Sequence, residues 1–303
     1  MIAFALSGGG NRGPLQVGAL QALVESGVRP DFLVGTSAGA LNAIYLAAWG
    51  VDGSLEGLAN VWRRVDKQAI YPGGWFSLLW RVVRGSQSLY PNEAFRETIA
   101  ASLPRPDLTF ADLKIPCYIT TADLRSRRLF LFPDPGDHSA GVVDAVMASA
   151  SIPVLHPPVE LSGRQLVDGG VVDNVPASVA MDQGATTIYL INVGYDGQEE
   201  GPAQGLMAIL SRTLGTFLAQ SLFTDIEWAV ARTDVDLHHI AISAFQETSF
   251  SDFTQTDAMI QSGYQAAQAY LANPDPRRLP REGRKDRGSL PGAIPYTPSR
   301  RNR

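Results

Sequence analysis

Val34-Gly35-Thr36-Ser37-Ala38-Gly39-Ala40 places a serine where a short apolar strand, Phe32-Leu33-Val34, runs directly into an apolar helix from Ala38 to Trp49. A turn this sharp has no room for side chains at its flanks, which accounts for Gly35 and Gly39 on either side of Ser37. The pattern predicts a nucleophile elbow, with a hydroxyl held at a helix N-terminus where the dipole favours developing negative charge. The competing reading is a tight turn in which Ser37 only N-caps the helix.

A second glycine-rich turn, Ser7-Gly8-Gly9-Gly10-Asn11-Arg12-Gly13, lies between the first strand and the first helix. Gly8, Gly10 and Gly13 have the G-x-G-x-x-G spacing of a dinucleotide-binding loop. That use needs an acid at the end of the second strand to hold the ribose, whereas Asp31 precedes the strand. No Lys-Ser/Thr pair follows the glycines, so a phosphate-gripping loop fails as well. The same run suits an oxyanion hole, because side-chain-free residues at a helix N-terminus let backbone N–H groups converge on one oxygen. Losing one such donor raises an acyl-transfer barrier by about 3–4 kcal/mol. In a parallel sheet the loops after the first two strands open on the same carboxyl edge, which brings this run and Ser37 together.

Ser37 needs a base, because a free hydroxyl is hardly ionised near neutral pH. None of the four histidines (His138, His156, His238, His239) lies in an obvious motif. His156 is the best of them, but Pro153, Pro157 and Pro158 around it suggest a rigid loop. A carboxylate within hydrogen-bond reach serves equally well, and Asp168 in Val167-Asp168-Gly169-Gly170-Val171 sits at a strand end, followed by glycines that permit close backbone approach. An ordinary Asx-type turn is the alternative for that Asp-Gly pair.

Taken in order, Gly8-Gly9-Gly10-Asn11-Arg12-Gly13, Gly35-Thr36-Ser37-Ala38-Gly39 and Asp168-Gly169-Gly170 resemble the three signatures of the patatin-like phospholipase family. Ala148-Ser149-Ala150-Ser151-Ile152-Pro153 through Pro157-Pro158 resembles the segment ahead of the family's Asp-Gly motif. The region ending in Ser262-Gly263-Tyr264-Gln265-Ala266-Ala267 is similar to the C-terminal half of bacterial members. The resemblance implies a three-layer α/β/α sandwich with a mainly parallel central sheet, and hydrolysis of lipid acyl esters by a Ser-Asp dyad without histidine, metal or cofactor. Carried over by position, Ser37 attacks the acyl carbonyl and Asp168 accepts its proton. Gly8, Gly9, Gly10, Arg12 and Gly13 form the oxyanion loop, with Gly9 and Gly10 as donors, Gly13 shaping the loop and Arg12 bracing it. Gly170 stands where some relatives have Ala, which leaves the assignment intact.

Positioning these residues requires alternating strands and helices. Strands are expected at residues 2–6, 32–34, 115–121, 128–132, 187–193 and 237–243. Helices are expected at about residues 14–26, 38–49, 55–66, 142–150, 206–222 and 253–272. Leu15, Val17, Leu20, Leu23 and Val24 recur at helical spacing in the first, and Gly27 stops it.

With 303 residues, 45% of them hydrophobic and 18% charged, the chain can bury a full core, and no internal repeat interrupts it. Its single cysteine, Cys117, excludes an internal disulfide framework and reads as an inert core thiol; no Cys/His spacing suggests zinc. Residues 274–303 hold nine Lys/Arg, three Asp/Glu and six prolines, against 16 basic and 27 acidic residues in 1–273. The expected organisation is therefore a catalytic domain over 1–273 and a basic, poorly ordered tail over 274–303. A solvated tail is favoured over one attracted to anionic lipid, and no specific nucleic-acid partner is expected. No signal sequence precedes the first strand and no apolar run is long enough to span a membrane, which suggests a cytoplasmic protein with peripheral access to membranes.

Trp75, Phe76, Leu78, Leu79, Trp80, Val82 and Val83, with Arg81 and Arg84, form a short apolar stretch that reads as a core helix or as a lid meeting lipid. Leu206 to Leu222 reads as a packed amphipathic face, an acyl-tunnel wall or a dimer contact. Three functions follow: a lipid acyl hydrolase, favoured; an esterase or thioesterase of short soluble substrates; and a non-catalytic lipid- or nucleotide-binding protein.

Overall fold

The strand residues alternate in the face they bury. In the computed structural model, which describes residues 1–73, 84, 86, 88–135, 137–194, 205, 209, 212, 213, 216 and 235–276, β1 (Ile2–Leu6) sends Phe4 and Leu6 into one core cluster and Ala3 and Ala5 into another. β2 (Phe32–Gly35) divides Leu33 from Phe32 and Val34 in the same way. In β7 (Thr187–Asn192), Ile191 faces the first cluster and Ile188 and Leu190 the second. Period-two alternation with both faces apolar requires a layer of structure on each side of the sheet.

The first face carries α1 (Gly13–Glu25), α2 (Ala38–Trp49), α3 (Leu55–Arg64), α6 (Val142–Ser149) and α8 (Thr256–Ala272). Among the described residues the opposite face is covered by α7 (Ala177–Asp182), through Ala177, Val179, Ala180 and Met181. The shorter helices α4 (Lys67–Ile70) and α5 (Glu93–Ser102) flank the first face. Helices α1 and α8 cross backbone to backbone. A Cβ on Gly18 would lie 1.8 Å from the Ile260 carbonyl oxygen, and one on Gly263 would lie 1.9 Å from that of Leu15.

The remaining strands are β3 (Cys117–Asp123), β4 (Arg128–Phe132), β5 (Val159–Leu161), β6 (Arg164–Asp168) and β8 (Asp236–Ala241). The sheet runs β5-β6-β3-β2-β1-β7-β8, with β4 also paired to β3. The stretch β3-β2-β1-β7-β8 is parallel throughout, while β4, β5 and β6 join antiparallel on one flank. The fold is thus the expected α/β sandwich, with a parallel centre and one antiparallel flank.

Several boundaries differ from the expected ones for local reasons. β3 starts at Cys117 because Pro116 has no N–H for the ladder; its carbonyl accepts from Leu33 instead. α3 stops at Arg64 and Asp66 caps the next helix, its Oδ1 accepting from the Ala69 N–H at 2.8 Å. α8 begins at Thr256, since Asp252 holds Thr254 in a side-chain turn just before it. Helices α4, α5 and α7 and strand β5 are additional to the expected elements. The stretch Trp75 to Val83, most of the expected helix at 206–222 and the tail from residue 277 lie outside the described residues. No helix among the described residues is long and apolar enough to cross a membrane.

Candidate active site

Ser37 lies one residue beyond the end of β2, after Thr36, and immediately precedes α2, with φ 54° and ψ −118°. A left-handed φ at a residue with a side chain stores about 1–3 kcal/mol of strain, which the packing around it must hold. That packing is backbone. A Cβ on Gly35 would sit 2.4 Å from the Gly39 carbonyl oxygen, and one on Gly39 would sit 2.3 Å from that of Leu6. The Ser37 N–H donates to Ser149 Oγ of α6 at 2.8 Å. No side-chain cap is made to α2; Ser37 Oγ instead donates to Asp168 Oδ2 at 2.7 Å. The N-cap reading of Ser37 is therefore not the observed one.

Asp168 ends β6, and its second oxygen, Oδ1, accepts from the Gly170 N–H at 2.8 Å. The Asx turn and the serine contact coexist, one on each carboxylate oxygen. Asp168 also donates its own N–H to the Ser151 carbonyl at 2.9 Å. Burial pushes the carboxyl pKa up to about 6, against the lowering by its hydrogen bonds from Ser37 and Gly170. A carboxylate raised this far is a stronger base than a solvated one and still ionised at neutral pH.

The two segments are tied together beneath the contact. Thr36 Oγ1 donates to the Asp173 carbonyl at 3.0 Å and meets Thr120 Oγ1 at 2.6 Å, so Thr120 is the donor of that pair. Gly169 packs on Thr120, whose carbonyl oxygen would lie 2.4 Å from an added Cβ. Thr36 and Ser149 lie within segments that the sequence singles out, but nothing in sequence marks their hydroxyls as structural partners, and Thr120 carries no signal because a hydroxyl on an apolar strand has no periodic signature.

The glycine run lies on the same edge, with Ser37 Cβ only 3.4 Å from a Cβ built on Gly8. Its N–H groups are unequal. Gly8 donates to the Asn174 carbonyl at 3.0 Å, Arg12 to that of Gly9 at 3.1 Å, and Gly13 to that of Gly10. Gly9 and Gly10 have no partner for their N–H groups among the described residues. Gly10 takes φ 58° with open space around it, so its backbone conformation, not crowding, calls for glycine. The Arg12 guanidinium donates to Gln246 Oε1 and to the Gly9 and Gly194 carbonyls, and Asn11 Nδ2 donates to the Ser249 and Asp252 carbonyls. Both side chains tether the run to the loop ahead of α8.

His156 is buried among aromatic rings. Its Nε2 meets the Ile70 carbonyl at 2.9 Å and its ring stacks on Tyr71 with centroids 5.6 Å apart. Burial lowers its pKa below the ordinary imidazole value. Tyr71 also packs edge-on against Tyr90 and Phe250. Its hydroxyl pKa is pushed up by burial, then by Tyr90 and the nearby Asp168 charge, so this aromatic cluster borders the site. Cys117 is buried and its thiol pKa is raised by burial, which leaves it unreactive. Among the described residues no three His, Cys, Asp or Glu side chains gather as metal ligands.

The Patatin-like phospholipase family profile matches residues 4–181, more than half of the chain and all three motifs. The chain is 30% identical over 194 residues to patatin-like phospholipase domain-containing protein 6 of Mus musculus, covering 64% of this chain and 13% of that protein. It is 25% identical over 310 residues to lysophospholipase nte1 of Aspergillus terreus, covering 96% of this chain and 19% of that one. Among solved structures, VipD from Legionella pneumophila aligns with a TM-score of 0.47 and 16% identity, over 89% of this chain and 66% of that one. The chain thus spans less than a fifth of these two curated relatives. Its three motifs lie on one sheet edge within the matched region, and the chain belongs to the patatin-like phospholipase family.

Proposed function

We propose that the chain is a serine acyl-ester hydrolase of lipids, of phospholipase A or lysophospholipase type. The observation that carries this reading is the 2.7 Å hydrogen bond from Ser37 Oγ to Asp168 Oδ2, beside two glycine N–H groups that have no partner among the described residues. Ser37 Oγ attacks the acyl carbonyl carbon while Asp168 Oδ2 takes the hydroxyl proton. The carbonyl oxygen becomes an oxyanion that accepts from the Gly9 and Gly10 N–H groups. Collapse breaks the ester C–O bond, and the leaving alcohol takes the proton from Asp168. A water then attacks the acyl-serine with Asp168 again as base, releasing the fatty acid and restoring Ser37. The lipid substrate is supported by the family and by the name of the fungal relative.

A fluorophosphonate probe tests the nucleophile. Labelling of the unsubstituted chain and none of Ser37→Ala is expected; equal labelling of both would remove the assignment. Release of fatty acid from lysophospholipid or phospholipid micelles above the rate on monomeric short esters is expected. A preference for the soluble ester would favour the esterase reading instead.

A further inference from the structure

A chain of buried amides runs under the glycine loop and ties its two ends. Trp62 Nε1 of α3 donates to Asn42 Oδ1 of α2 at 2.8 Å. Asn42 Nδ2 donates to Gln16 Oε1 of α1 at 2.8 Å and to the Gly13 carbonyl at 3.1 Å. Gln16 Nε2 donates to the Ser7 carbonyl at 2.8 Å. Asn42 and Gln16 are fully buried.

The direction of this chain is settled by chemistry. The indole N–H can only donate, and the backbone carbonyls of Gly13 and Ser7 can only accept. With one donor-only end and two acceptor-only ends, each amide has a single orientation that satisfies every contact. A helix interface needs no such network for stability, because apolar side chains of the same shape serve as well or better. What apolar side chains cannot do is hold the carbonyls of Ser7 and Gly13. Those carbonyls bracket Gly9 and Gly10. From Ser7 the restraint continues, its Oγ donating to the Gly8 carbonyl and accepting from the Val193 N–H, each at 3.0 Å. At the other end the Trp62 ring fills the space a Cβ on Gly13 would need, 2.1 Å from Cζ2.

We infer that Gln16, Asn42 and Trp62 are positioning residues that hold the Gly9 and Gly10 N–H groups on the oxyanion of the reaction. The inference rests on the hydrolase reading above. None of the three touches substrate; they act through the loop's carbonyls. They therefore stabilise the transition state and leave ground-state binding alone.

The experiment compares Gln16→Met, Asn42→Leu, their double variant and Trp62→Phe with the unsubstituted chain, using p-nitrophenyl butyrate and a fluorophosphonate to count competent serines. Per labelled serine, kcat should fall roughly 10- to 100-fold in Gln16→Met and Asn42→Leu with KM within about twofold. The double variant should lose no more than about the worse single, since both break one chain. Affinity for a trifluoromethyl ketone, which forms the oxyanion adduct, should weaken in parallel, while that for an unreactive ether analogue stays constant. Trp62→Phe removes the indole donor and leaves both amides and their bonds to the Ser7 and Gly13 carbonyls in place, so it should lower kcat by a smaller factor and serves as the variant to read if the amide substitutions impair folding. Unchanged kcat per labelled serine, or losses shared equally by the ketone and the ether, overturns the inference alone. Absence of Ser37-dependent turnover in the unsubstituted chain overturns the hydrolase reading and this inference with it.

Discussion

Ser37 and Asp168, 131 residues apart in sequence, meet on one side of β3, Ser37 from the strand paired with its first half and Asp168 from the strand paired with its second. Ser37 leaves the carboxyl end of β2, where Gly35 pairs with Ile119 of β3. β4 takes the other side of β3, pairing with Ile119 through Asp123, so β6 runs antiparallel on the same side of β3 as β2, beyond its end, and stops at Asp168, opposite Thr121. Because β3 extends past the end of β2, β6 descends toward the same edge and halts beside the serine. The antiparallel flank is what brings the carboxylate there.

Replacing either partner should separate chemistry from folding. Ser37→Ala is expected to reduce turnover to background, and Asp168→Asn to reduce kcat by about 10²–10⁴ with the fold intact. In Asp168→Asn the amide oxygen faces the Gly170 N–H and the amide nitrogen faces Ser37 Oγ, so the local hydrogen bonds survive. Circular dichroism and single-turnover kinetics check this; near-normal turnover in Asp168→Asn would require another base.

The pH profile follows from the buried carboxyl. In the proposed mechanism the reactive form is ionised Asp168, whose pKa is raised to about 6. The acidic limb of kcat/KM should therefore show one ionisation near that value, with activity rising from pH 5 to pH 7. An acidic limb centred near pH 4 would contradict the raised basicity of this site.

The same burial makes Asp168 a stability liability. Its folded pKa of about 6 exceeds the ordinary 3.8. The protonated form's contribution is complete below about pH 4 and is lost as pH rises through about 6. Asn imitates the neutral form, so Asp168→Asn should be more stable at pH 7.5 by at most about 3 kcal/mol, with the gain vanishing toward pH 4. Urea unfolding at pH 7.5 and pH 4.5 measures the difference.

The elbow glycines should tolerate no methyl group. At Gly39 an added Cβ meets the Leu6 and Ser7 carbonyls, neither of which can move without shifting β1. Gly39→Ala is expected to lower stability by more than about 3 kcal/mol, in the range of the most disruptive substitutions. Gly10→Ala, with open space but a left-handed φ, should cost only about 1–2 kcal/mol. Thermal unfolding of the pair distinguishes crowding from conformation.

His156 provides the counter-test to a histidine triad. Its ring is packed among Tyr71, Tyr90 and Phe95 and its Nε2 is engaged by the Ile70 carbonyl. His156→Phe should leave kcat within about fivefold of normal, whereas loss of a general base costs about 10²–10⁴. A loss of that larger size would make His156 the base.

The sequence alone determined what local chemistry demands. The glycines around Ser37, the helical spacing of α1 and the β-α alternation are each written in a few neighbouring residues, so the elbow and the parallel centre were legible without coordinates. Tertiary structure decided everything that depends on partners distant in the chain. It set the direction of β6 and how far it runs along β3, and it divided Asp168's two oxygens between Ser37 and Gly170. It also committed the Gly8 N–H to Asn174 and gave those of Gly9 and Gly10 no partner among the described residues. Gln16, Asn42 and Trp62 lie on three different helices, and in sequence each is a lone polar or aromatic residue with nothing to mark it. Periodicity reports which face a residue takes; only packing reports which hydrogen-bond partner it finds there.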